Sequence, residues 1–479
     1  MTTPPREPGE GLARHNARVA HDLACLGYPP PAWVRPREHP SGTAVKDVVV
    51  VGAGMSGLAA TFALMKAGIT NIATLDRATA GREGPWLTYA RMETLRTPKE
   101  MTGPCLGIPS LTFRAYYEAR FGAAAWSSLG KCPRPLWMEY LTWYREVLGL
   151  AVENATRLVR IVPEGEVLRL EVERRGQHET RYARKVVLAT GRDGLGGFRV
   201  PVAIASLPKD CWATTHDAID FGVLRGKRIA VIGAGATATD NAAMALEAGA
   251  ASVHMLVRQA TMPRTHKFLP FAAQGFVHGF VQAPDAWRWR SILTPTKAGV
   301  PPPRDSLLRC TRHENFHLLF GHGLNGARVG EDGVVLSTPK GSLAVDFVIA
   351  ATGFLVNLNR TPELALFAGE IARWGDRYAP PAGEEHKENA QFPYLGQAFE
   401  FTERRAGQAT FLRNIHCFSN AASQSLGFIS SDVPGLSEGA MRLASGIAAH
   451  FFVDDVAHHY GEIEHFARAE LQGDEWRAP

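Results

Sequence analysis

The run Val48-Val-Val-Val51-Gly52-Ala-Gly54-Met-Ser56-Gly57-Leu58 constrains this chain more than any other stretch, because an apolar strand stops on spaced glycines and passes directly into helix formers. Each glycine has a steric task. Gly52 permits the tight turn, Gly54 lets backbone approach a diphosphate, and Gly57 lets the helix pack close to the strand. The helix N-terminus then faces the phosphates with unpaired N–H groups. A lone glycine pattern also reads as an ordinary turn, and context decides between the two. Ile72-Ala-Thr-Leu75 forms a second apolar strand, and Asp76 ends it at the spacing expected of the acid that takes a ribose hydroxyl. Ser56 within the turn and Arg77 after the acid are counted with this site.

A second turn follows later in the chain. Ile229-Ala-Val-Ile232 runs into Gly233-Ala-Gly235-Ala-Thr-Ala238, with alanine in the third glycine position, and predicts a second dinucleotide site. The next strand, Ser252 to Val257, ends on Arg258 and not on an acid. That removes the usual ribose clamp and offers a cation to a 2′-phosphate, which favours NADPH, while a merely solvated arginine leaves NADH open. Two buried strands end alike, at Ala189-Thr-Gly191 and Ala351-Thr-Gly353, and suggest two crossings between domains.

Two nucleotide sites in one chain make sense if one holds a flavin tightly and the other a nicotinamide that passes it hydride. The expected fold class is therefore α/β, with two Rossmann-like dinucleotide-binding domains, an FAD domain carrying an inserted NAD(P)H domain. Residues 1–43 form an N-terminal arm, 44–205 the first part of the FAD domain, 206–344 the NAD(P)H domain and 345–479 the second part of the FAD domain. The arm is expected to hold a helix over Leu12 to Leu26 and to pack through Leu23, Leu26 and Trp33. Leu136 to Leu148 reads as a core helix, and Leu168 to Glu173 and Tyr182 to Leu188 as strands joined by a turn at Arg174 to Gln177. Pro263 to Arg312 lacks clean periodicity and reads as an insertion wrapped over the second nucleotide domain. A helix near Gly439 to Phe452 closes the chain, and Asp432 or the amides near Gly427 are placed to reach the flavin.

Composition narrows the partners. The 479 residues carry 52 Lys and Arg against 47 Asp and Glu, and a net charge of +5 without basic runs argues against nucleic acid. Six scattered cysteines with no CxxC pair fit a reducing cytoplasm and leave a disulfide reductase without its redox pair. No secretory signal or membrane span is indicated, no His or Cys spacing suggests a metal site, and the oligomeric state stays open.

On Gly52-Ala-Gly54-Met-Ser-Gly57, Trp86, Gly191, Gly233-Ala-Gly235 and Ala351-Thr-Gly353-Phe354, the chain resembles the class B flavin monooxygenases along nearly its whole length. Arg82-Glu-Gly-Pro-Trp86, Thr94-Leu-Arg-Thr-Pro-Lys99 and His216-Asp-Ala-Ile-Asp-Phe221 are similar to one subgroup, which includes an FAD-dependent urate hydroxylase and an amino-acid N-monooxygenase that forms nitrosuccinate from aspartate. Two departures stand out. Cys211-Trp-Ala-Thr-Thr precedes His216 where many relatives carry Phe and Gly, and Thr97-Pro98 stands where many carry an asparagine beside the flavin.

The resemblance implies that NADH or NADPH reduces FAD, that oxygen adds at the flavin C4a, and that the hydroperoxide passes one oxygen to an electron-rich substrate. Urate hydroxylation to 5-hydroxyisourate in purine degradation leads, with N-hydroxylation of a small amino acid such as aspartate as the alternative. A reductase or redox sensor without oxygen insertion is a further reading. The resemblance also implies NADH, against the direction of Arg258. Either substrate is a small anion, so Arg91, Arg96 and Lys99 are the candidate catalytic cations, with Trp86 and Tyr89 able to stack on a planar ring. The same cations also fit the FAD diphosphate or a plain surface.

Overall fold

The computed structural model describes residues 10–476. Two sheets carry the architecture, the first mixed and the second parallel. The first contains β1 (Val45–Val51), β2 (Ile72–Leu75), β3 (Thr156–Glu164), β4 (Val167–Arg174) and β5 (Gln177–Leu188). The second contains β6 (Trp212–Thr214), β7 (Arg228–Ile232), β8 (Ser252–Val257) and β9 (Phe316–Phe320). After these come β10 (Gly326–Gly330), β11 (Gly333–Thr338), β12 (Gly341–Val345), β13 (Phe347–Ala350) and β14 (Ile415–His416).

The order of the first sheet is β2-β1-β5-β4-β3, with β14 also paired to β5. β1 lies parallel to both neighbours, Val48 opposite Ile72 and Val51 opposite Leu188. That central place is why Val48 to Val51 form a continuous apolar run: both faces are covered, so no polar alternation survives. The helix Met55–Lys66 covers one face, packs on the closing helix Leu436–Asp454 and is buried along most of its length, with Phe62 and Leu64 fully enclosed. Each such side chain contributes about 1.5–3 kcal/mol. β4 and β5 meet at the expected turn, where Arg175 and Gly176 adopt φ of 50° and 81°.

The second sheet has the order β6-β13-β7-β8-β9 and is parallel throughout. β13 thus belongs to the second sheet, with Val348 opposite Ala230, so the boundary expected at residue 345 falls before a strand of the nucleotide unit rather than after it. β10, β11 and β12 form a separate antiparallel sheet on this unit that the sequence reading does not anticipate. The two crossings run side by side. Leu355 and Asn357 donate backbone hydrogen bonds to Gly197 and Leu195, and Phe198 pairs antiparallel with Phe354.

The arm's helix spans Glu10–Cys25 and buries Val19 and Leu23. Trp33 packs over Gly68 and donates from Nε1 to Ala67 O at 2.7 Å. Leu26 does not share in this contact and is 59% exposed, because the helix has ended before it. Of the arm, residues 1–9 lie outside the described residues.

The stretch 263–312 also differs from expectation. Its helix Arg304–Thr311 packs on the second nucleotide unit, but its helix Asp285–Ala298 packs on the last segment of the first unit, through Trp289 against Trp374 and Arg288 against Ser425. The insertion therefore bridges the two units.

Lys185 is the most deeply buried charged side chain of the first sheet. Lys185, 1% exposed on β5, donates to Asn414 Oδ1 at 2.9 Å and faces Asp454 and the Phe451 ring. Burial lowers its ammonium from 10.5 to about 8, against the pull of Asp454. The folded state then binds fewer protons than the unfolded one between these values, so stability from this group rises with pH across that window, and the full penalty holds below it. Lys185→Met is expected to stabilise the protein by about 1–3 kcal/mol at neutral pH, since Asp454 keeps Arg413. The advantage should shrink as the pH approaches 10.5; denaturant titrations at both pH values check this, and a less stable variant at pH 7 contradicts it.

Candidate active site

The parallel strands β1, β2, β5 and β14 all end on one edge of the first sheet, and the loops leaving them carry its functional groups. Gly52 holds φ 101°, and a Cβ there would lie 2.4 Å from Ala189 O. A Cβ on Gly57 would lie 1.7 Å from Gly52 O. Gly54 is different: its nearest neighbour would be Gly84 Cα at 3.7 Å, so two loops face each other with bare backbone. Asp76, 8% exposed, accepts from the N–H groups of Ala53 and Ala78, each at 2.7 Å, and so ties the turn to the end of β2. Burial raises its carboxyl above the usual range, and those two N–H groups oppose the shift.

The long loop after Asp76 has little regular structure and is fixed by side chains. Glu83, buried, accepts from Arg145 at 2.9 Å and Asn154 at 2.6 Å, while Arg134 donates to the carbonyls of Trp86 and Met92. A cavity of about 270 Å³ opens beside the glycine turn, lined by Ala53, Gly54, Ala80, Glu83, Met138 and Arg145 among others. The last segment closes the other side. Ser56 Oγ donates to Ser430 O at 2.8 Å, Gly427 turns at φ 74° against Phe280, and Asp432 pairs with Arg192 at 2.8 Å.

Three buried polar atoms around this turn have no protein partner: Trp86 Nε1, Thr190 Oγ1 and Ser431 Oγ. They come from three separate segments, adjoining Gly84, Ala189 and Ser430, which all border the turn. Buried polar groups are as a rule paired, so three orphans gathered around bare backbone fit a polar dinucleotide such as FAD.

The second turn repeats the geometry. Gly233 holds φ 132° with Ala351 O at 2.3 Å from a built Cβ, Gly235 faces open space, and Ala238 is fully buried in the helix Ala236–Glu247. Arg258 is exposed at the end of β8. Gly191 and Gly353 hold φ 80° and 84° where the crossings begin. At the end of β6, His216 lies 3.8 Å, centroid to centroid, from both Tyr89 and Phe198, with neither ring nitrogen partnered. Burial lowers its imidazole to about 4, so it is neutral at pH 7.

The three cations expected to meet a substrate fare differently. Lys99 Nζ donates to Trp126 O and Leu129 O at 2.7 and 2.6 Å, which caps the helix Ala123–Ser128 and takes it away from the junction. Arg91 donates to Thr88 O at 2.8 Å and Asp217 O at 3.3 Å and lies over Phe221, joining the two units. Arg96 reaches Asp240 Oδ2 at 3.1 Å on the helix Ala236–Glu247. Arg77 is mostly exposed, 3.9 Å from Asp193. The sequence reading does not single out Glu83, Arg192 or Asp240. Asp240 has a visible signal, since it is the one acid on the first two turns of an alanine-rich helix.

Residues 46–270 match the family model described as pyridine nucleotide-disulphide oxidoreductase. The chain is 41% identical over 447 residues to an FAD-dependent urate hydroxylase from Xanthomonas campestris pv. campestris, covering 93% of this chain and 94% of that one. Its fold is similar to that of an ornithine hydroxylase from Pseudomonas aeruginosa, with a TM-score of 0.67 at 16% identity over 85% of this chain and all of the other. It is also similar to an ornithine N-hydroxylase from Kutzneria sp. 744, solved with reduced FAD, NADP+ and L-ornithine, with a TM-score of 0.65 at 15% identity over 85% and 99% of the two chains. No helix among the described residues is long and apolar enough to cross a membrane. The chain therefore belongs to the family of the FAD-dependent urate hydroxylase, a flavin-dependent monooxygenase family.

Proposed function

We propose that this enzyme hydroxylates urate at C5 in the cytoplasm, converting urate, oxygen, NAD(P)H and a proton into 5-hydroxyisourate, NAD(P)+ and water. The observation that carries the reading is the relative named above, matched over nearly the whole of both chains. Bound FAD, reduced by the nicotinamide coenzyme, supplies the activation of oxygen.

The protein's own groups bind, orient and keep water out. The turn Gly52, Gly54, Ser56 and Gly57 takes the FAD diphosphate at a helix N-terminus, Asp76 the adenosine ribose, and the adjoining cavity the adenine. Trp86 Nε1 and Thr190 Oγ1 find acceptors on the cofactor, while Gly191, Gly353 and Gly427 bring backbone close to it. Gly233, Gly235 and Ala238 hold the nicotinamide coenzyme, and Arg258 meets a 2′-phosphate where NADPH is the donor. Urate is an anion near neutral pH. With Lys99 and Arg91 committed to carbonyls, Arg192 is the cation we assign to it: Asp432, its partner, is 39% exposed and can be replaced by a substrate oxygen.

Purified holoenzyme supplied with NADH or with NADPH should consume oxygen in step with the loss of urate absorbance. Oxygen uptake with aspartate and not with urate would transfer the assignment to N-hydroxylation. No substrate-dependent uptake with either would remove both.

A further inference from the structure

The second nucleotide turn lacks a cation of its own. Between Arg228 and Arg258 the chain has no Lys or Arg, so the turn and its helix offer a coenzyme diphosphate at Gly233-Ala-Gly235 backbone N–H groups but no cation. Yet an acid stands one turn away. Asp240 is 2% exposed, accepts from Ser306 Oγ at 2.6 Å, and lies four residues into the helix, about 6 Å along its axis. Side chains on a helix lean toward its N-terminus, so this carboxylate points back toward the turn, where a bare negative charge repels a diphosphate.

Arg96 answers that charge from the other unit. Its guanidinium donates to Asp240 Oδ2 while the side chain stays 46% exposed, so donors remain free. The segment around it is docked: Leu95 is buried with its N–H on Cys132 O, and Arg309, on the helix Arg304–Thr311, reaches Arg91 O and Glu93. Arg192 stands near enough for its charge to act on Arg96.

We propose that Arg96, carried by the flavin unit, binds the diphosphate of the nicotinamide coenzyme held by the other unit, and that Asp240 is the positioning residue that aims it. This rests on the nicotinamide site at Gly233 to Ala238. The coenzyme would then be held by both units. Asp240 separates this role from simple charge balance, because loss of an acid beside a diphosphate strengthens binding on electrostatic grounds alone.

Calorimetric titration of the FAD-loaded enzyme with ADP-ribose, which carries the diphosphate, and with adenosine, which lacks it, tests the proposal. Arg96→Gln should weaken ADP-ribose about 10- to 100-fold and leave adenosine within about twofold. Asp240→Ala should also weaken ADP-ribose, while Asp240→Asn, whose amide oxygen still accepts from Arg96 and whose amide N–H can donate to Ser306 Oγ, should retain it. Unchanged ADP-ribose affinity in Arg96→Gln, or tighter binding in Asp240→Ala, overturns the proposal alone. Failure of the unmodified enzyme to bind ADP-ribose overturns the nicotinamide site with it.

Discussion

Gly57→Ala is expected to yield protein that retains almost no FAD. The new methyl would sit 1.7 Å from Gly52 O and 2.7 Å from its carbonyl carbon, both backbone atoms with no rotamer to change. Gly52 cannot retreat, because its own position lies against Ala189 O at the end of β5. Nor can the helix, which Thr61 ties to β2 through the Thr74 hydroxyl at 2.8 Å. Relief requires opening the turn, at a cost of more than about 4 kcal/mol. Gly54→Ala provides the contrast. Its methyl meets nothing closer than 3.7 Å, so the turn keeps its shape and only the approach of the diphosphate suffers. Gel-filtered protein should carry no yellow chromophore and melt early for Gly57→Ala, and should melt normally with FAD bound about 10- to 100-fold more weakly for Gly54→Ala. Stoichiometric FAD in purified Gly57→Ala would refute the steric account.

That contrast shows why so much of the fold is legible in the sequence. Steric demands write themselves into residue type: β1 must turn at once into a close-packed helix, and only glycine permits it. The second turn carries Ala238 at the equivalent place and is still readable, because Gly233 and Gly235 keep the same spacing. Buried parallel strands are legible for a related reason, being covered on both faces. Pairing is not written in this way. Phe347-Val-Ile-Ala350 resembles the end of β5, and nothing local says that its neighbours are β6 and β7. β10 to β12 are short and partly exposed, so their alternation is weak.

Charged side chains are the least legible of all, since residue type gives the charge and not the partner. Lys99 lies in a loop rich in ligand-binding residue types, yet two helix-end carbonyls 27 and 30 residues further along the chain claim its ammonium, and no spacing rule announces that. Arg96 and Arg91 lie five residues apart and face different partners. A loop without regular structure has no periodicity from which to infer direction, so the candidate site was readable as a neighbourhood and not as a set of contacts.

Arg288 shows what the bridging insertion does, and Arg288→Ala should be among the most damaging changes outside the nucleotide turns. It is 9% exposed, donates to Ser425 O at 2.9 Å, pairs with Asp285, reaches the Tyr394 hydroxyl and lies 5.0 Å over Trp374. Truncation leaves a buried carbonyl without a donor and a partly buried carboxylate with only the Tyr394 hydroxyl, and removes a cation from two aromatic faces, which together costs about 3–5 kcal/mol. Arg288→Lys restores the charge but not the planar fork that spans three acceptors, so it should recover less than half of the loss. The damage should reach the cofactor. Ser425 sits two residues before Gly427, and its hydroxyl also takes the N–H of Trp374, so a loosened insertion frees the segment that Ser430 fastens to Ser56. Flavin should therefore dissociate faster from Arg288→Ala than from the unmodified enzyme at a temperature where both stay folded. A variant that melts early yet holds FAD unchanged would show that the insertion stabilises the body of the protein without bracing the flavin site.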